Sequence, residues 1–479
     1  LSGIRFKAMT TDRQTDIQAL FDAQRKQAFQ MALTTVDQRI ERIRRIQTWI
    51  GAHETDIQQA MYDDFRKPVV EVMVGELLAL HAEIKHTIRY LKQWMKPQRL
   101  PTSMALVGTK SYLRHEPKGN VLIVAPWNYP FVLTIRPLVS ALAAGNVAIL
   151  KPSELTPHIA GLINRMITEL FPPEEVVVVE GDAAVAQALL ELPFNHIFFT
   201  GSPAVGRIVM AAAARHLASV TLELGGKSPA IVDESANVRT AAAQLAWGKF
   251  LNNGQTCIAP DYILVHQSVK QPFIQALQES LTGMYSPNGN PVEASESYAR
   301  IVNNKHFERV RTLIEDAISK GATVAHGGKT MADQNFIEPT VLEGITDEMY
   351  VMQDEIFGPV LPVLSYATLD DALRIINQRE KPLALYIHSR DTKHTQYVLD
   401  RTSAGDTVIN DTLLQFGNVE LPFGGVNNSG LGKSNGFFSF QEFSNQRGVM
   451  QRDFGTMKFI YPPYTDRVKK LVKFLVKYL

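Results

Sequence analysis

From about Asp12 to Lys96 the apolar residues return every three or four positions. Val36, Ile40, Ile43, Ile46 and Ile50 form one stripe, and Trp49 and Ile57 extend it. That period predicts helices that lay one face on a core, ended by Pro97 and Pro101. The pattern then changes to short apolar runs at 120–125, 146–150, 176–180, 196–200 and 220–224, with helix-like stretches at 156–170 and 204–216 between them. Apolar strands alternating with helices predict a parallel sheet covered on both faces. The alternation resumes after Gly226, with strands at 229–232, 262–265, 360–364, 383–388 and 407–409 and helices at 239–250 and 307–320. This predicts a second α/β unit. Residues 110–115 read as a strand of an outlying hairpin, paired with 120–125 or with a later segment. At the end, Val468, Leu471, Val472, Leu475, Val476 and Leu479 share one helical face, while Lys469, Lys470, Lys473 and Lys477 lie off it. Phe474 and Tyr478 widen the stripe.

Composition narrows the class. The chain has 479 residues, 45% hydrophobic and 20% charged, with a formal net charge of +1. A folded multidomain protein is expected, and the global basic field of a nucleic-acid binder is absent. Cys257 is the only cysteine. An intrachain disulfide is therefore impossible, and a lone thiol fits a reducing, cytoplasmic setting. No apolar run is long enough to span a bilayer. Leu1 to Thr11 lacks the apolar core of a signal peptide and an initiating methionine. His81 and His86 do not share a helix face, no cluster shows metal-ligand spacing, and no metal is expected.

Several short stretches carry candidate chemistry. Cys257 sits between a glycine-containing turn and Pro260, in Gly254-Gln255-Thr256-Cys257. A thiolate held there can attack a carbonyl; the alternative is a small buried apolar side chain. Glu223 lies in the apolar run Leu222-Glu223-Leu224, followed by Gly225-Gly226-Lys227. Burial would raise its pKa toward that of a general base, unless Lys227 pairs with it. Asn128, between Pro126 and Pro130, can donate to a developing oxyanion or satisfy its own turn. Gly201-Ser202-Pro203-Ala204-Val205-Gly206 follows a strand and opens a helix, which suits a phosphate without matching the usual dinucleotide fingerprint. Lys151 and Glu154 follow another strand, where they can reach ribose hydroxyls or remain solvated charges. Glu355 stands two residues before Phe357, so extended backbone would point both to one face.

Together, in this order, these segments resemble the aldehyde dehydrogenase superfamily: Pro126-Trp127-Asn128, Lys151-Pro152-Ser153-Glu154, Phe199-Thr200-Gly201-Ser202, Leu222 to Lys227, Gly254 to Cys257, Glu355-Ile356-Phe357-Gly358-Pro359 and Leu421-Pro422-Phe423-Gly424-Gly425. The likeness runs from about Asp12 to Pro463. Asn128-Tyr129-Pro130-Phe131, Ala246-Trp247-Gly248-Lys249-Phe250, the stretch from Asn377 to Tyr386, and Tyr461-Pro462-Pro463 place it nearest the class 3 and fatty aldehyde branch. Two positions depart from the common pattern. Pro203 replaces a threonine in the glycine loop, and Asn427 replaces a glycine.

The resemblance implies an α/β fold of three parts. A Rossmann-like dinucleotide domain would take 12–100 and 119–222, a catalytic domain 223–409, and a bridging, oligomerisation sheet 101–118 and 410–463, with a basic amphipathic helix over 464–479. It implies oxidation of aldehydes to acids with NAD or NADP, and a homodimer. Cys257 would be the nucleophile, Glu223 the base that activates water, and Asn128 the oxyanion donor. Lys151, Glu154, Gly201, Ser202, Gly206, Glu355 and Phe357 would hold the cofactor. Two other functions compete: acyl transfer to coenzyme A, against which Glu223 argues, and a binding protein on a retired scaffold, against which the intact Cys257, Glu223 and Asn128 argue. For 467–479 three readings stay open: packing on a subunit, a helix over the substrate entrance, or peripheral contact with a membrane.

Overall fold

The computed structural model describes residues 11–103 and 106–478. Residues 1–10, which hold most of the segment read as lacking a signal peptide, lie outside the described residues, as does Leu479 of the terminal stripe. The N-terminal helices are Thr11–Ala32, Val36–Ala52, Glu54–Phe65 and, after Pro68, Val69–Val72. The last continues through a π-helical turn, Met73–Leu78, into Ala79–Trp94. Ile43, Ile46 and Ile50 are fully buried, as their spacing predicts. A capping box at Thr35 and Gln38 starts their helix.

The first large sheet has six strands in the order Gly430–Leu431, Ser219–Leu224, His196–Gly201, Asn120–Val124, Val147–Lys151 and Val176–Val178. All but the first are parallel. Alternate side chains feed two cores: Val121 and Ile123 join one, Leu122 the other. This period of two, buried on both faces, is why the segment reads as a continuous apolar run. The second sheet has seven strands: Thr323–His326, Thr340–Glu343, Val360–Tyr366, Tyr262–His266, Pro229–Val232, Ala384–His388 and Asp406–Ile409. Its central residues divide the same way, with Ile263 and Val265 on one face and Leu264 on the other.

A separate antiparallel sheet joins Gln98–Leu100, Thr109–Pro117 and Ser444–Arg452. The hairpin strand therefore pairs with a late segment, over nine residues from Thr109↔Arg452 to Pro117↔Ser444, and not with 120–125. The fold is thus α/β, with two mainly parallel sheets and a small bridging sheet. The sequence pattern does not mark the strands at 323–326, 340–343 and 444–452. The last is polar and exposed along most of its length, so no alternation marks it.

The helix Asp466–Tyr478 follows the bridging sheet. None of its described side chains is buried, and Val476 is 81% exposed. Among the described residues, no helix is long and apolar enough to cross a membrane.

Candidate active site

Segments at the ends of strands in both large sheets come together around one cavity. Thr200, Gly201 and Leu224 lie at the carboxyl ends of strands in the first sheet, where α/β folds bind ligands. Cys257, Glu355 and Phe357 precede strands of the second. Between them is a cavity of about 1230 Å³, lined by Asn128, Gly201, Ser202, Glu223, Cys257, Glu355 and Phe357 together. Gly206, Lys151 and Glu154 are not among its lining residues.

The thiol is carried on an unusual loop. Asn252, Asn253 and Gly254 all take positive φ, at 52°, 57° and 72°. Asparagine tolerates this left-handed region better than other side-chain-bearing residues. At Gly254 a Cβ would strike the Gly358 carbonyl, so only glycine fits. Cys257 is partly buried. Burial pushes its thiol pKa far up, the charges of Glu355 and Glu223 push the same way, and hydrogen bonds to its own backbone N–H and that of Ile258 oppose them. The cysteine packs against an apolar core and lines the cavity.

Glu223 is buried at the end of its strand. The antiparallel return Gly430↔Glu223 brings Ser434 beside it, and Ser434 Oγ donates to Glu223 Oε1 at 2.7 Å. Oε2 has no hydrogen-bond partner among the described residues. Burial raises the Glu223 pKa to about 8, Asp406 adds to the rise, and Ser434, Lys433 and Arg136 oppose it. Lys227 does not pair with Glu223. Its ammonium donates to Asp261 Oδ2 at 2.6 Å and to the Val351 and Asp354 carbonyls. Glu355 is likewise raised to about 8, by burial first and by Asp261 next, against the Gly226 backbone hydrogen bond and the Lys227 and Lys249 charges. Its carboxylate fills the space a Cβ on Gly225 would need.

Asn128 is buried, and its Nδ2 donates to the Gln255 carbonyl at 3.0 Å. An amide nitrogen carries two hydrogens, so one remains for a ligand. Trp127 stacks edge-on against Phe357, ring centroids 5.3 Å apart, and Phe357 itself has φ of 45°.

On the first sheet, Ser202 caps the helix Pro203–Ala214 by accepting the Val205 N–H. Pro203 occupies the first helical turn, where a missing N–H costs nothing, so the departure from threonine leaves the capped turn intact. Gly206 packs under the Leu224 side chain, which leaves no room for a Cβ. Thr200 lines the cavity, and its buried Oγ1 has no hydrogen-bond partner among the described residues. A helix N-terminus with an unsatisfied hydroxyl beside it fits the phosphates and amide of a dinucleotide. Lys151 sits two strands away, beyond Asn120–Val124, its ammonium 2.7 Å from Glu154 and 3.0 Å from the Pro152 carbonyl. Asn427, in place of glycine, adopts φ of 58° and accepts from Lys381 Nζ at 2.9 Å.

Sequence reasoning missed Ser434, because its partner lies 211 residues away. It also missed a group of possible cation ligands among the described residues, Asp233, Glu234 and His394, whose ligand atoms lie within 4.8 Å of one another. These sit at the far, carboxyl edge of the second sheet, where Asp233 Oδ2 is already hydrogen-bonded to His394 Nδ1 at 3.0 Å and to Ser389.

The aldehyde dehydrogenase family model matches residues 4–449. The chain is 44% identical over 437 residues to 4,4'-diaponeurosporen-aldehyde dehydrogenase of Staphylococcus aureus, a match covering 91% of this chain and 94% of that protein. It is 41% identical to the dimeric NADP-preferring aldehyde dehydrogenase of Mus musculus, over 89% of this chain and 93% of that one. The mouse aldehyde dehydrogenase family 3 member A2 is 38% identical, over 91% of this chain and 90% of its own. Among solved structures, the substrate-bound state of Staphylococcus aureus AldH superposes with a TM-score of 0.90 at 42% identity, covering 96% of this chain and 99% of that chain. A Bacillus cereus aldehyde dehydrogenase in complex with NAD+ gives 0.80 at 30% identity, over 92% and 89%. The chain belongs to the aldehyde dehydrogenase family, on the class 3 side of it, and is an oxidoreductase acting on aldehydes.

Proposed function

We propose that this enzyme oxidises apolar aldehydes, medium- or long-chain aliphatic or aromatic, to carboxylic acids with NAD or NADP, through a thiohemiacetal and then a thioester on Cys257. The observation that carries this reading is the joining of a lone thiol and two desolvated carboxylates in one cavity with an apolar wall. Val74, Leu78, Leu133, Trp247, Leu251 and Phe416 form that wall. The bound nicotinamide supplies the hydride acceptor. Gly201 and Ser202 would hold the pyrophosphate at the helix start, with Gly206 allowing the helix to sit close to its strand; Glu355 would take the nicotinamide ribose and Phe357 would flank the ring.

Cys257 loses its proton to solvent and, as the thiolate, attacks the carbonyl carbon, whose π pair moves onto the oxygen. The oxyanion takes hydrogen bonds from the free N–H of Asn128 and from the Cys257 backbone N–H. Glu223, held by Ser434, removes a proton from water as that water attacks the thioester, and the C–S bond breaks to release the acid and return the Cys257 thiolate. Incubation with an aldehyde series and either cofactor, followed at the reduced-nicotinamide band with the acid product quantified, tests the reading. Turnover that requires coenzyme A would assign the acyl group to transfer instead.

The Lys151–Glu154 pair is placed at the adenosine ribose. Glu154 repels a 2′-phosphate there, which favours NAD; both cofactors are accepted, with Glu154 setting the ratio. Glu154→Gln should raise the NADP to NAD ratio of kcat/KM by about tenfold, the effect of roughly 1.4 kcal/mol. An unchanged ratio removes Glu154 from the ribose site.

The homodimer belongs to the same reading, with the exposed bridging sheet as the contact. The C-terminal helix supports a peripheral contact with an anionic membrane. Its apolar Val472, Phe474 and Val476 are exposed, and Lys469, Lys470 and Lys473 are exposed beside them. Deleting residues 466–479 should abolish co-sedimentation with phosphatidylserine vesicles and leave rates with a short aldehyde within about twofold of the full chain. Retained vesicle binding refutes the membrane contact; a selective change with long-chain aldehydes shows that the helix gates the substrate entrance.

A further inference from the structure

The loop that carries Asn128 is held from behind by a buried charged cluster that neither nucleophile nor base touches. Lys67 and Glu76 have fully buried side chains, and Lys67 Nζ lies 3.0 Å from Glu76 Oε1. The same ammonium donates to the Asn128 carbonyl at 3.2 Å and sits 3.7 Å from the centre of the Tyr129 ring. Glu76 Oε2 accepts the N–H of Val132, in the first turn of the helix that follows the loop. Asn252 Nδ2 donates to the Asn128 carbonyl at 2.9 Å and to the Gln255 carbonyl at 3.1 Å, the latter being the acceptor of Asn128 Nδ2. The Asn252 backbone N–H is in turn held by Glu71 Oε2 at 2.9 Å. The Asn128 peptide and its side-chain amide are therefore fixed from both ends, and the fixing groups also hold the loop that leads to Cys257.

Such a cluster is costly for stability alone. Burying an ion pair seldom gains over packing apolar residues of the same volume. The helix carrying Glu76 also departs from regular α geometry at Met73–Leu78, a π turn of the kind found mostly at functional positions. Gly75 in that turn meets the Tyr129 ring, so helix and loop touch where any side chain would push them apart. What an ammonium provides here, and an apolar residue cannot, is a directed donor to the Asn128 carbonyl. An oxyanion donor must be aligned before charge develops, because a hydrogen bond weakens steeply with angle.

We propose that Lys67, backed by Glu76, is a positioning residue that holds the Asn128 amide in the orientation that receives the oxyanion. This rests on the reading of Asn128 as oxyanion donor and extends it to a residue on another element.

The test is a double-mutant cycle on the full-length enzyme with cofactor bound, using Lys67→Met, Asn128→Ala and the pair. Stopped-flow measures the first-turnover burst of reduced nicotinamide, and tryptophan quenching measures the cofactor Kd. Lys67→Met is expected to slow the burst by about tenfold or more with the cofactor Kd within about twofold of wild type. In the Asn128→Ala background the same substitution should change the burst by less than about threefold, since the amide it positions is gone. Equal losses in both backgrounds, or a wild-type burst in Lys67→Met, overturn the proposal. A wild-type burst in Asn128→Ala is a different failure: it removes the oxyanion reading, and the proposal with it. Where Lys67→Met does not fold, Lys67→Met/Glu76→Gln removes both charges together and is expected to show the same background dependence.

Discussion

Cys257→Ser is expected to fold, to bind NAD or NADP with unchanged affinity, and to turn over about 10⁴-fold more slowly or worse, the scale seen when a covalent nucleophile is removed. The serine hydroxyl is nearly isosteric but far less acidic, and it stands in a cavity that already disfavours negative charge. Burial and the two carboxylates Glu355 and Glu223 raise the pKa of even the thiol. Because the chain has no other cysteine, a thiol reagent that abolishes activity must act at this position. The check is steady-state turnover beside a cofactor titration on the same preparation. Activity within tenfold of wild type, with about that margin for error, would contradict covalent catalysis by this residue.

Glu223→Gln is expected to separate the two halves of the reaction. The amide keeps the hydrogen bond from Ser434 but accepts no proton from water, so thioester hydrolysis should slow by about 10²- to 10³-fold. Formation of reduced cofactor in the first turnover should persist as a burst. The pH profile sharpens the assignment. A base works in its ionised form, and burial raises Glu223 to about 8. Steady-state turnover should therefore rise with pH up to about 8 and level off above it, and Glu223→Gln should flatten that limb. A retained limb in the variant would transfer the role to Glu355, which is raised to about 8 in the same cavity.

The distinction between what was legible in sequence and what was not is one of range. Strands buried on both faces, such as Val147–Lys151, announce themselves as apolar runs. Ser444–Arg452 does not, because its side chains are largely exposed and its partner lies more than 300 residues earlier. Around the site, each candidate sits in a local signature that depends on its immediate neighbours: Gly225 beside Glu223, Gly254 before Cys257, Pro126 and Pro130 around Asn128. The side chains that set the behaviour of those candidates come from afar. Ser434 reaches Glu223 only through the antiparallel return of the chain. Lys67, in Arg66-Lys67-Pro68, carries no motif that marks it, yet it is fully buried. Its signal in sequence is faint: a lysine before proline with acids at Glu71 and Glu76, on a face that regular helical spacing would misplace because of the π turn. Glu154 and Lys151 show the converse. Their motif is clear, but they do not line the large cavity.

The central claim is that carbon is carried covalently on one sulfur. Mixing Glu223→Gln with cofactor and an apolar aldehyde, quenching in acid within the burst and mapping peptides by mass spectrometry tests it most directly. The account predicts one acyl group per chain, on Cys257, removed by hydroxylamine. Burst formation of reduced cofactor with free acid already released and Cys257 unmodified would contradict it.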